Sequence, residues 1–186
     1  APDRKVTFSV PTGNFGNVFA GYAARRMGLP VEKFIVGSNA NDILTRYFET
    51  GEMTMADVVP TLSPSMDIQI SSNFERLLFD YYRRDGASVK KIMEQFRRNR
   101  RVSFGKARWR SMGNLFEGHR LGDNETQDAL AALYHNTGEL IDPHTVIGIK
   151  AGQAARASAS SAESVTSPVV SLATAHPAKF PDAVEG

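Results

Sequence analysis

The stretch "KVTFSVPTGNFGNVFAGYAARRMGLPVEKFIVGS" (Lys5–Ser38) sets the fold. Lys5 to Val10 alternates polar and apolar residues and is rich in β-branched ones, the pattern of a strand. Pro11-Thr12-Gly13 breaks it. Phe15, Val18, Phe19 and Tyr22 then recur at helical spacing, and Gly28 supplies a C-terminal stop. "KFIVGS" (Lys33–Ser38) reads as a second strand. "NANDILTRYFETG" (Asn39–Gly51) follows as a short helix with Leu44, Tyr47 and Phe48 on one face and Gly51 past its end. Strand, helix, strand, helix in this rhythm predicts an α/β fold with a parallel or mostly parallel sheet and flanking helices.

Beyond Gly51 the rhythm changes. "GEMTMADVVPTLSPSMDIQI" (Gly51–Ile70) carries two prolines and little periodicity, so it reads as a long ordered loop. "SSNFERLLFDYYRRDG" opens a helix, with Ser72 and Glu75 spaced as a capping box. "ASVKKIMEQFRRNRR" is amphipathic, with Val89, Ile92, Met93 and Phe96 facing inward. "NETQDALAALYHNTG" closes on Gly138, and "DPHTVIGIKAGQAAR" starts with Asp142 as cap and Pro143 at the first helical position. "ASASSAES" (Ala157–Ser164) is small and polar, a helix end or loop. "PVVSLAT" reads as a final buried strand, and "HPAKFPDAV" as a terminal helical turn.

The bulk properties set limits. At 186 residues, 41% hydrophobic and 23% charged, the chain suits one globular unit with a sizeable core. No apolar run has the length to cross a bilayer and no signal peptide is present. The absence of cysteine removes disulfide and thiolate chemistry and agrees with a cytoplasmic location. A net charge of +2 gives no general attraction to nucleic acid. The four histidines lack metal-ligand spacing, and no carboxylate cluster points to a metal.

The loop between the first strand and first helix carries the chemistry. Such a loop presents unpaired backbone N–H groups at the positive end of a helix dipole. It therefore holds a phosphate without lysine or arginine. Gly13 and Gly16 allow close backbone approach and positive φ. Asn14 and Asn17 add amide donors. The stretch is neither a P-loop nor a dinucleotide fingerprint. On spacing alone it is either an anion cradle or a plain turn.

Four stretches resemble one family. "SVPTGNFGNVFAGYAARRMGLP" resembles the cofactor-phosphate loop of threonine synthases, fold-type II pyridoxal-phosphate enzymes of the tryptophan synthase β-like group. "PTLSPSMDIQISSNFERLLF" (Pro60–Phe79), "IDPHTVIG" (Ile141–Gly148) and "LATAHPAKFPDAV" (Leu172–Val184) resemble further signatures of that family, in family order. The resemblance implies half of a fold-type II architecture, with an added helical segment around 73–138. It implies pyridoxal 5'-phosphate as cofactor, and conversion of O-phosphohomoserine and water to threonine and phosphate as activity. Carried over position by position, Gly13, Asn14, Phe15, Gly16 and Asn17 would cradle the cofactor phosphate. Thr174 would face the pyridine nitrogen. Ser72, Asn73 and Arg76 are candidates for the substrate phosphate, arginine because its fork donates two parallel bonds. His144 and Thr145 would border the site.

One departure matters. In the family the lysine that forms the internal aldimine precedes the glycine-asparagine loop in a separate N-terminal part. Lys5, Lys33, Lys90, Lys91, Lys106, Lys150 and Lys179 all lack its context. The expectation is a C-terminal fragment, residues 1–186, that lacks the lysine-bearing domain and is inactive alone. Two rivals remain. Another fold-type II lyase, a dehydratase or cysteine synthase-like enzyme, shares the loop but not "PTLSPSMDIQISSNFER". A nucleic-acid module would use the basic stretch Arg97–Arg110 with Phe104 and Trp109.

Overall fold

In the computed structural model, residues 4–158 and 167–184 are described. The first strand, β1 (Val6–Pro11), leads into α1 (Gly16–Arg26) and then β2 (Val31–Ser38), which pairs with β1 in parallel. Helix α2 (Ile43–Thr50) ends at Gly51 in the left-handed region, as its sequence predicts. A short strand β3 (Glu52–Thr54) follows, and then helices α3 (Phe74–Tyr81) and α4 (Gly86–Asn99). Strand β4 (Arg101–Ser103) pairs antiparallel with β3. Next come α5 (Lys106–Gly113), β5 (Phe116–Arg120), α6 (Asp123–Thr137), α7 (Pro143–Ala157), β6 (Val169–Ser171) and the terminal turn α8 (Pro181–Val184).

The main sheet has four strands in the order β5-β2-β1-β6, all parallel. The chain steps outward from β1 to β2 and β5, then returns across the other face through α7 to β6. The strand order therefore reverses beside β1. Ligands of open α/β sheets bind outside the carboxyl ends of the strands at such a reversal.

One sheet face carries Phe34, Val36 and Phe116, all fully buried. Phe15, Phe48, Phe74 and Phe104 pack into the same cluster from the surrounding elements. Phe34 and Phe116 stack with centroids 5.6 Å apart, and Phe48 stacks on Phe116 at 5.7 Å. Each such ring contributes about 1.5–3 kcal/mol by leaving water. The other face is covered by α7, whose Ala151 and Ala155 meet Ile35. Ser9 Oγ donates to Gly148 O at 2.5 Å and ties α7 to the central strand.

Several expectations need correction. The long loop after Gly51 begins with β3 and contains a 3-10 turn at Pro64–Met66. The Ser72 capping box does not form: α3 starts at Phe74 with Asn73 in the cap position and no side-chain cap bond. The stretch around 73–138 is helical over α3 to α6, but it also holds β4 and β5, and β5 completes the main sheet. "FEGHR" does not alternate apolar with polar; Phe116 alone enters the core, and β5 exists because the outer edge of β2 pairs with it. The last strand is not buried. It spans three residues at the sheet edge, and Val170 is 44% exposed. The "ASASSAES" reading lies largely outside the described residues. No helix among the described residues is long and apolar enough to cross a membrane.

Candidate functional site

At the carboxyl end of β1 the chain turns over residues 12–15 before α1 begins. Thr12 is buried and fixes the turn, with its N–H on Gly37 O at 2.8 Å and its Oγ1 on Val10 O at 2.6 Å. The first residue of the helix bonded back into the chain is Phe19, whose N–H meets Phe15 O at 2.9 Å. Among the described residues, no acceptor takes the N–H groups of residues 13–18. Those of Gly13, Asn14, Gly16 and Asn17, which are at least partly exposed, lie at the positive end of α1, where an anion is stabilised, while Phe15 and Val18 are buried.

The glycines act differently from expectation. Neither Gly13 nor Gly16 has positive φ; Phe15 does, at 65°. A bulky residue in the left-handed region is an outlier that surrounding packing must hold. The Phe15 ring does so: it is 1% exposed and meets Phe74 edge-on at 5.2 Å. Only its backbone can face a ligand. Gly13 is required by close approach, since a Cβ there would lie 2.5 Å from Ser65 O. Gly16 is not: a Cβ would meet only Asn73 Nδ2 at an ordinary 3.6 Å, and the residue is exposed. Asn14 and Asn17 are exposed beside it.

The 71–76 stretch flanks this loop. Ser71 Oγ donates to Gly13 O at 2.9 Å, Ser72 Oγ to Asn14 Oδ1 at 3.3 Å, and the Asn73 N–H to Asn14 O at 3.0 Å. Ser72 and Asn73 therefore border the loop. Arg76 sits one turn further along α3, with its guanidinium stacked 4.2 Å over the Phe19 ring.

Thr174 follows β6, which lies beside β1, and it is exposed. Its N–H donates to Thr145 Oγ1 at 3.3 Å. Thr145 Oγ1 in turn donates to Asp142 Oδ2. Asp142, 1% exposed, caps α7 by accepting from the N–H groups of His144 and Thr145 at 2.9 and 3.2 Å, and it pairs with His144 Nδ1 at 3.0 Å. Burial alone would raise its pKa, but the bonds from His144 and Thr145 prevail and hold it at about 2. The Nε2 of His144 has no partner among the described residues. It is buried, with its ring 4.8 Å from Phe180. The "IDPHT" signature is thus a positioning device: it ties the Thr174 loop to the start of α7.

The sequence reading did not single out a second polar cluster, around Asn39, Asn41 and Asp67. Asn39 Nδ2 reaches Thr61 Oγ1 at 2.7 Å, Ser63 Oγ at 2.9 Å and Asp67 Oδ1 at 2.8 Å. Asn41 Nδ2 reaches Val59 O at 2.8 Å and Asp67 Oδ1 at 3.0 Å. Nothing local in "PTLSPSMDIQ" distinguishes it from a polar surface loop; the cluster forms through contacts with Asn39 and Asn41.

Both aromatics of the basic stretch are engaged within the protein. Phe104 is buried, and Trp109 packs against Gly51 and donates to Phe48 O at 2.7 Å. Arg97, Arg100 and Arg101 pair with Glu75, Asp57 and Glu52. Arg108 stacks 3.9 Å over Tyr82. Among the described residues no group of histidines and carboxylates has the arrangement of a metal site.

A parallel sheet with a donor loop at the carboxyl end of β1, and a threonine loop after the neighbouring strand β6, defines an α/β domain of the kind that binds a ligand where its strand order reverses. Residues 145–186 match the family model described as "Threonine synthase, C-terminal". Over 185 residues the chain is 48% identical to threonine synthase of Pseudomonas aeruginosa, covering 100% of itself and 38% of that enzyme. The PLP-bound threonine synthase from Brucella melitensis superposes with a TM-score of 0.91 at 47% identity, over 100% of this chain and 38% of that one. The yeast threonine synthase structure gives 0.87 at 37% identity, over 97% and 38%. The chain is similar to threonine synthases along its whole length and spans about 38% of the length of these relatives.

Proposed function

We propose that this chain forms the cofactor-phosphate side of a threonine synthase, which converts O-phosphohomoserine and water to threonine and phosphate with pyridoxal 5'-phosphate. The observation that carries this reading is the run of N–H groups at residues 13–18 that find no acceptor among the described residues, at the carboxyl end of β1 where the strand order reverses. The donor set fits the cofactor's phosphate: backbone N–H groups of Gly13, Asn14, Phe15, Gly16 and Asn17, a helix dipole, and exposed amides on Asn14 and Asn17. When bound, the cofactor supplies an electron sink for carbanion chemistry.

The chain's own residues then bind and orient. Thr174 follows β6, the strand beside β1, is exposed, and has its backbone N–H held through Thr145 and Asp142, so it would face the cofactor ring. A neutral hydroxyl facing the ring nitrogen would not enforce its protonation, which tunes how strongly the ring withdraws charge. Ser72 and Asn73, both bonded to Asn14, would meet the substrate phosphate, and Arg76 one turn away would add positive charge. The lysine that carries the cofactor belongs to another part of the enzyme. Lys5 lies at the amino end of β1, Lys33 pairs with Glu117 at 2.8 Å, and Lys179 is exposed in a 3-10 turn.

The test uses the complete polypeptide. Phosphate and threonine should appear from O-phosphohomoserine. Ammonia release from serine or threonine, with no turnover of O-phosphohomoserine, would overturn the reading in favour of a dehydratase. The 186-residue chain alone should turn over neither. A cytoplasmic location is part of the same proposal.

A further inference from the structure

The run "PTLSPSMDIQ" forms one wall of the candidate cofactor-phosphate loop, and one carboxylate within it, Asp67, ties it to the residues after β2, while Asp123 accepts from the Leu62 N–H at 3.3 Å. Asp67 Oδ1 accepts from Thr61 Oγ1 at 2.6 Å, Asn39 Nδ2 at 2.8 Å and Asn41 Nδ2 at 3.0 Å. Its Oδ2 accepts from the Thr61 N–H at 2.9 Å. Asn39 directly follows β2, so the network is anchored to the rigid sheet. Asn39 also donates to Ser63 Oγ at 2.9 Å, and Ser63 precedes the 3-10 turn Pro64–Met66. That turn presses Ser65 O and Met66 Cα against Gly13, where a Cβ would meet them at 2.5 and 3.1 Å. The same segment continues to Ser71, whose hydroxyl holds Gly13 O at 2.9 Å.

We propose that Asp67 is a positioning residue for the 13–17 loop, acting through Asn39 and the Pro64–Met66 turn, so that the free N–H groups stay aimed at one anion. The inference rests on the reading of that loop as a cofactor-phosphate cradle. Loops carry backbone donors with errors of an ångström unless something fixes them, and such errors weaken binding strongly. Asp67 itself does not touch the ligand: its oxygens are spent on Thr61, Asn39 and Asn41.

A general loss of structure and a loss of cradle geometry are separable. Pyridoxal shares the cofactor's ring and lacks its phosphate. Both are titrated into the complete polypeptide, wild type and Asp67→Asn. The wild type should prefer pyridoxal phosphate strongly. The variant should lose roughly tenfold in affinity for pyridoxal phosphate, as when an outer-shell partner is removed, with pyridoxal affinity unchanged. Thr61→Ser, which keeps the hydroxyl and the N–H, should behave as wild type. Should Asp67→Asn fail to fold, Ser63→Ala removes one bond from Asn39 and should lower the preference about threefold, with the same sign. An equal loss for both ligands, or no loss, overturns the positioning role and leaves the cradle standing. A wild type with no preference for the phosphate-bearing ligand removes the cradle and this inference with it.

Discussion

Asn14 and Asn17 carry the same side chain as Asn39 and Asn41, and the two pairs follow adjacent parallel strands at the same end of the sheet. Their fates are opposite. Asn39 is 0% and Asn41 5% exposed, and their amides are bonded to Thr61, Ser63, Val59 and Asp67. Asn14 and Asn17 are exposed, and the Asn14 side chain accepts only a 3.3 Å bond from Ser72. An amide with its donors spent inside the protein is scaffold. An amide left open next to unpaired backbone N–H groups is available to a ligand. Residue type does not distinguish the two, but satisfaction of the polar atoms does.

The contrast gives the largest expected effect. Asn39→Ala strips Asp67, Thr61 and Ser63 of a shared partner in a buried setting. It should cost about 3 kcal/mol, the scale of several buried groups left unpaired. Asn14→Ala and Asn17→Ala should stay within about 0.5 kcal/mol of wild type, as exposed substitutions do. Urea unfolding of all three variants measures this. A comparable loss at Asn17 would erase the distinction.

Much of this was legible in the sequence. The strands read at 5–10 and 33–38 form within one or two residues, at 6–11 and 31–38, and the helix stops at Gly51 and Gly138 and the Asp142-Pro143 start appear as local chemistry that tertiary contacts did not override. The loop at 13–17 was legible as a candidate site because glycine and asparagine cluster after a strand. Three features were not. The left-handed residue is Phe15 rather than a glycine, since its conformation is imposed by the ring's burial against Phe74. Strand β5 carries no period-2 pattern, because only Phe116 faces the core. The Asp67 network joins residues 39–41 to 59–69, and no local spacing announces a contact at that separation.

Gly13 lies where the two regions touch, so a methyl there acts on both. The added Cβ would sit 2.5 Å from Ser65 O, a backbone atom that cannot swing away. Gly13→Ala should cost about 2 kcal/mol through overpacking and weaken binding of the phosphate-bearing cofactor. Calorimetric melting and a cofactor titration read the two effects. Unchanged melting would show that the 63–66 turn yields freely and is no wall.

Acid separates the second scaffold, at Asp142, from the open loop. The folded pKa of Asp142 is about 2, below its ordinary value. A depressed carboxylate contributes stability that is present above the unfolded pKa and is lost as pH falls through the folded one. The contribution should therefore be complete above pH ~4 and vanish towards pH ~2, on the order of 2 kcal/mol. Glu117 is held at about 2 chiefly by its bond from His119, against burial, and with Lys33, so it adds a parallel loss in the same direction. Asp142→Asn should be less stable at neutral pH and show a shallower acid limb. A limb as steep as the wild type's would mean that Asp142 is not a linked group.

The smallest effect on stability is the most informative about function. Gly16 begins α1, its φ is not positive, and a Cβ would meet only Asn73 Nδ2 at 3.6 Å. Nothing in the protein requires glycine there. Alanine restricts the unfolded chain and fits the helix, so Gly16→Ala should stabilise by about 0.5 kcal/mol. If the space in front of Gly16 belongs to a phosphate, the same methyl should lower cofactor affinity, and stability and binding should move in opposite directions. Scaffold glycines cannot behave so, because at Gly13 both quantities fall together. A Gly16→Ala protein that is more stable and binds the cofactor unchanged would place the ligand elsewhere along the loop, closer to Asn14 and Gly13.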